Sequence, residues 1–215
     1  MKKTMIAGLL LLLLAIIGVA AFFVFKQPSV DDEQPHEKTY REISYPTQNY
    51  DREKVNEVRG VILHHTALPT IERSLEVLTT PINKVGTHCL VDTDGTRYIL
   101  CDPTVVTFHA GKSVLNDREK CNEFTIGIEF QGNTLEEPLT DDQISSAIQY
   151  LLPIIDRYHI SLDSVVTHEM IRDNYMLKYP EKRTKNKIDI TSWEYRRVMK
   201  ALREAYRESH GEPMG

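Results

Sequence analysis

The stretch Val58-Arg59-Gly60-Val61-Ile62-Leu63-His64-His65, followed after a short break by Thr70-Ile71-Glu72-Arg73-Ser74-Leu75-Glu76-Val77-Leu78-Thr79, decides the fold. Its first part is a run of Val, Ile and Leu without polar alternation. That pattern reads as a strand, Val58 to His64, buried on both faces. The second part sets Ile71, Leu75 and Leu78 at helical spacing behind Thr70, a residue type that caps helices. A buried strand running into a helix is the building unit of an α/β sheet.

Working outward, strands and helices continue to alternate. Thr87 to Val91 and Arg97 to Leu100 bracket Asp94-Gly95, a strong hairpin signal. Val105 to His109 and Phe124 to Phe130 read as further strands, the second alternating around Ile126, Ile128 and Phe130. Thr140-Asp141-Asp142-Gln143 has the capping-box pattern. Ile144, Ile148, Leu151, Leu152 and Ile155 then carry a helix to about Tyr158, with a bend expected at Pro153. Ser164 to Thr167 suits a short strand, and the polar, basic residues 172–187 read as a loop. A last amphipathic helix runs from Thr191 to about Tyr206, with Trp193 read into its core side. The expected fold is a single α/β domain, residues 55–210, with a central mixed β-sheet flanked by α-helices.

The N-terminal part is different in kind. Lys2 and Lys3 precede an apolar run from Met5 to Phe25. At ~1.5 Å rise per residue it reaches across a hydrocarbon core of ~30 Å. Residues 1–26 therefore read as an N-terminal transmembrane helix, the lysines holding the N-terminus in the cytoplasm. The expected location is the inner (cytoplasmic) membrane, single-pass, with the folded domain on the periplasmic side. A signal cleaved near Val19-Ala20-Ala21, giving a secreted form, is the alternative. Residues 27–54 are polar, with Pro28, Pro35 and Pro46, and read as a linker.

Composition narrows the function. With 41% hydrophobic and 27% charged residues the chain is neither collagen-like nor disordered, and a net charge of −5 gives no nucleic-acid footprint. None of Cys89, Cys101 and Cys121 forms a Cys-x-x-Cys pair. Cys89 and Cys101 flank the hairpin and are the candidate disulfide; three small buried side chains are the alternative.

His64, His65, His88, His109 and His168 lie on strands or at strand ends. Zinc takes His nitrogen and carboxylate oxygen, and a catalytic zinc keeps one position open. The set offered here is His64 or His65, His168 and an acid such as Asp189. Adjacent strand residues point to opposite faces, so only one of His64 and His65 can face a metal. His168-Glu169 has Arg172 where a His-Glu-x-x-His helix needs its second histidine, which excludes that motif.

The order and local settings of these residues carry a resemblance. Val61-Ile62-Leu63-His64-His65-Thr66-Ala67, Thr87-His88-Cys89-Leu90-Val91-Asp92, Phe108-His109-Ala110-Gly111, Thr125-Ile126-Gly127-Ile128-Glu129, Thr167-His168-Glu169 and Lys187-Ile188-Asp189 follow one another along the chain. In this the domain resembles the zinc-dependent N-acetylmuramoyl-L-alanine amidases of the amidase-2 family, which includes phage amidase-type lysozymes and peptidoglycan recognition proteins. The resemblance implies Zn2+ held by His64, His168 and Asp189, Glu129 as catalytic base, and Lys187 polarising the substrate. It implies His88 and His109 lining the substrate cleft. It also implies hydrolysis of the amide between N-acetylmuramic acid and L-alanine in peptidoglycan or muropeptides. One departure is Ile190-Thr191, where the family usually has Pro-Gly; Asp173 is the reserve third ligand. Two rival readings are a peptidoglycan-binding receptor on the same fold and a zinc stem-peptide peptidase.

Overall fold

The computed structural model describes residues 38–182 and 189–211. In chain order the elements are β1 (Glu42–Ser44), β2 (Tyr50–Val55), β3 (Gly60–His65), α1 (Ile71–Thr79), β4 (Cys89–Val91), β5 (Arg97–Ile99), β6 (Val105–Thr107), β7 (Val114–Leu115), β8 (Arg118–Glu119), β9 (Thr125–Phe130), α2 (Asp141–Tyr158), β10 (Val165–Thr167), α3 (His168–Lys178) and α4 (Ser192–His210). Six strands form one sheet in the order β1-β5-β4-β9-β3-β10. β3 runs parallel to β9 and β10, β9 parallel to β4, and β4 antiparallel to β5. The sheet is thus mixed. β2–β6 and β7–β8 are separate antiparallel pairs.

Alternate residues of the central strands feed two layers. Val61, Leu63, Ile126, Ile128 and Phe130 pack with Leu151 and Ile155 of α2 and Val198 and Leu202 of α4. On the other face Ile62 joins Phe124, Val166 and Ile171 of α3, while Leu90 meets Leu75 and Leu78 of α1. All six residues of β3 and of β9 are buried, as strands covered on both faces must be. Each such Val, Leu, Ile or Phe contributes about 1.5–3 kcal/mol of burial. Helix ends are fixed locally. Thr140 and Gln143 form a reciprocal capping box, and Gln143 Nε2 also donates to Gln131 O and Val91 O, tying α2 to the ends of β9 and β4.

Several expectations need correction. The linker was read to residue 54, but the folded unit begins at Tyr40. β1 pairs with β5, Tyr40 donates to Asp142 Oδ1 at 2.9 Å, and buried Asn49 donates to Leu78 O and Val85 O. These strands are held by backbone pairing with polar side chains outward, so no apolar period marks them. Residues 172–187 were read as a loop, yet α3 extends to Lys178. It starts from Thr167, which accepts from Met170 N, and buries only Ile171, Arg172 and Tyr175. The Cys89–Cys101 bond is not formed and all three thiols are free. Cys89 lies opposite Ile99 in the β4–β5 register, which sets Cys101 two residues further along. The apolar run Met5–Phe25 lies outside the described residues. Among those described, no helix is long and apolar enough to cross a membrane.

Candidate metal centre

The sheet places the first ligand candidate. His64 on β3 is in register with Glu129 on β9, which is in register with Leu90 on β4. One rung thus presents an imidazole and a carboxylate side by side on the same face, both buried. β10 pairs with the other edge of β3 and ends at Thr167, so the next residue, His168, begins α3 beside the C-terminal end of β3. Asp189 arrives from the other direction. Ile190 is buried in the core and Thr191 caps α4 by accepting from Glu194 N, so the Asp189 side chain is delivered just ahead of that helix.

His64, His168 and Asp189 converge with their ligand atoms within 4.8 Å of one another. Asp189 Oδ2 stands 2.9 Å from His168 Nδ1 and 3.7 Å from His64 Nδ1. Tetrahedral zinc with bonds of about 2.0–2.2 Å sets its ligand atoms about 3.3–3.6 Å apart, a spacing these two distances straddle. Among the described residues, buried His168 Nδ1 makes no hydrogen bond despite its approach to Asp189. Two imidazoles and one carboxylate are the donor set of a catalytic zinc with an open fourth position, so the residues fit that ion.

Behind His64 lies a histidine chain. His64 Nε2 is 3.2 Å from His109 Nδ1, and His109 Nε2 is 3.3 Å from Thr125 O. A His64 that offers Nδ1 to a metal keeps its proton on Nε2 and donates to His109, which in turn donates to the Thr125 carbonyl. This fixes the tautomer and the ring plane of the ligand. Burial first, then the neighbouring His64 and His88, hold His109 well below the ordinary histidine range, in the neutral form this chain needs. Asn122 Oδ1 accepts from His109 N and Ala110 N and steadies the segment. Gly127 makes the room: a Cβ there would lie 2.7 Å from His109 Cγ.

His88 and His109 were read as cleft residues; the structure buries both. His88 is fully buried; its Nδ1 accepts from Gly127 N at 2.9 Å and its Nε2 donates to Val105 O at 2.8 Å. Burial pushes it down to about 4, so it is a neutral stitch joining β9 to β6. His109 faces His64, not open surface. Trp193 was read as core but is 64% exposed, because α4 turns Glu194, Val198, Met199 and Leu202 inward instead. Asp173 pairs with Arg172 and stands outside the ligand group. Lys187 lies outside the described residues. His65 points away from the cluster and accepts Thr134 N–H on Nδ1 at 3.0 Å. Sequence reading missed Gly127 and Thr134. A glycine amid β-branched residues was a usable signal for close packing; a lone loop threonine carried none.

Comparison with known proteins adds an independent line. Residues 54–186 match the family Amidase_2, described as N-acetylmuramoyl-L-alanine amidase. The 1,6-anhydro-N-acetylmuramyl-L-alanine amidase AmpD of Haemophilus influenzae is 39% identical over 88 residues, 40% of this chain and 46% of that protein. The chain thus spans about half the length of this curated relative. A crystal structure of a selenomethionine AmpD derivative matches with a TM-score of 0.53 at 22% identity, covering 74% of this chain and 93% of that one. Staphylococcus aureus hydrolase AmiA, solved with its ligand, gives 0.60 at 15% identity, covering 81% and 87%. At these identities the two structures establish a shared fold.

Proposed function

The chain belongs to the Amidase_2 family of N-acetylmuramoyl-L-alanine amidases, and on that premise we propose that it hydrolyses the amide between N-acetylmuramic acid and L-alanine in peptidoglycan or muropeptides. The observation that carries the reading is the meeting of His64, His168 and Asp189 with Glu129 one strand away.

Zinc held by His64, His168 and Asp189 would supply a Lewis acid and lower the pKa of water at the site. Glu129 takes the proton from the attacking water and returns it to the leaving amine of L-alanine. Its place beside His64 on the sheet puts this base on a rigid strand rather than a loop. His109 holds the His64 ring so that its Nδ1 stays on the side of Asp189. Lys187, assigned by resemblance, supplies positive charge for the oxyanion that forms at the lactyl carbonyl. In the same reading the Met5–Phe25 run retains the protein in the cytoplasmic membrane, and the domain meets cell wall on the outer side.

The test is digestion of purified muropeptides with and without a chelator, followed by mass analysis. Release of peptides beginning with L-alanine, abolished by the chelator and restored by zinc, is expected. Cleavage between two amino acids would make the protein a peptidase instead.

A further inference from the structure

We propose that Thr134 is a positioning residue that sets the direction of the Asp189 carboxylate, with His65 as its support. The inference rests on the metal reading of the His64–His168–Asp189 cluster.

Thr134 sits in the loop after β9 and is nine-tenths buried. Its hydroxyl accepts from Thr191 N at 3.0 Å and lies 3.4 Å from Asp189 O. The peptide N–H that follows Ile190 is therefore bonded to this oxygen, and the carbonyl that precedes Ile190 lies at the edge of its reach. Ile190 itself is locked in the core, and Thr191 caps α4. Asp189 is thus fixed on its C-terminal side by a side-chain clamp, a core residue and a helix cap within three positions.

The clamp is held from behind. Thr134 N donates to His65 Nδ1 at 3.0 Å, and Thr134 Oγ1 is 2.9 Å from the same nitrogen. An Nδ1 that accepts a backbone N–H carries no proton there, so His65 serves as an acceptor. Its partner in sequence, His64, faces the opposite side of β3 as a ligand. One His-His dipeptide therefore supports both ends of the centre: His64 contributes a ligand atom directly, and His65 acts through Thr134 on the chain that bears Asp189. Outer partners of this kind tune metal affinity by orienting ligands.

The test compares zinc affinity, by competition with a chromogenic chelator, in the full chain and in Thr134→Val and Thr134→Ser. Val keeps the shape and loses the hydroxyl; Ser keeps the hydroxyl. Removal of an outer partner costs ~10–100-fold in metal affinity, and that loss is expected for Val, with Ser within about threefold of wild type. Thermal unfolding of the zinc-free forms reports any purely structural effect. Should Val not fold, Thr134→Ala reads the same loss without branched bulk. Unchanged zinc affinity in the hydroxyl-free variants, with only the unfolding temperature lowered, overturns the proposal. A wild-type chain that binds no zinc overturns the metal reading and the proposal with it.

Discussion

Gly127→Ala probes the support behind His64 most sharply. The new Cβ would stand 2.7 Å from His109 Cγ, 2.8 Å from His109 Nδ1 and 2.9 Å from Thr87 Oγ1. Non-bonded carbon atoms prefer about 3.5–4.0 Å, so the His109 ring must retreat by about 1 Å. The crowded Nδ1 is the atom that meets His64 Nε2 at 3.2 Å, already at the long end of the hydrogen-bond range. The same shift therefore breaks that bond. Overpacking costs about 1–3 kcal/mol and the lost hydrogen bond about 0.5–1.5 kcal/mol, together roughly 2–4 kcal/mol. For a chain of this size the unfolding midpoint should fall by roughly 5–15 °C, read by circular dichroism on the zinc-free protein. Zinc affinity should fall ~10–100-fold as His64 loses its orientation. Adding Gly127→Ala to His109→Ala, where the ring is already gone, should cost less than about 1 kcal/mol because the two sites are in contact and non-additive. A Gly127→Ala midpoint within about 1 °C of wild type, with unchanged zinc affinity, would refute the packing argument.

Three further outcomes are expected. Glu129→Gln should keep zinc and the fold while turnover on muropeptides falls ~10²–10⁴-fold; wild-type rates would remove Glu129 as the base. His88 is held down to about 4 by burial, against an ordinary 6.5, so as pH falls the unfolded chain takes up the proton first. Its contribution is complete above pH 6.5 and is lost toward pH 4, up to about 3 kcal/mol at 1.36 kcal/mol per pH unit, and urea midpoints that stay level from pH 7 to pH 5 would contradict this. The full-length chain should remain with membranes through a carbonate wash and lose its catalytic domain to protease added to spheroplasts; a soluble form beginning near Ala21 would refute retention.

The parts of this fold legible in the sequence are those where side chains report the environment. β3 showed itself by an unbroken Val-Ile-Leu run, the β4–β5 hairpin by Asp94-Gly95, and the start of α2 by Thr140 and Gln143. Where backbone pairing or a few scattered contacts do the work, the pattern fails. β1 and β2 present polar side chains to solvent, and α3 buries only three residues, so both read as irregular. The site divides in the same way. Strand alternation separated His64 from His65 onto opposite faces. It said nothing of depth, so His88 and His109 read as cleft residues although one stitches strands and the other backs His64. The clamp at Thr134 joins loops 55 residues apart and has no local signature. Trp193 was misjudged because a helical period fixes spacing but not which stripe faces inward.

The measurement that bears most directly on the account is an anomalous difference map at the zinc absorption edge, from crystals of the protein purified with zinc. The account predicts one strong peak within bonding distance, about 2.0–2.2 Å, of His64, His168 and Asp189. A map with no peak among these three side chains, or with zinc held by other residues, would contradict it.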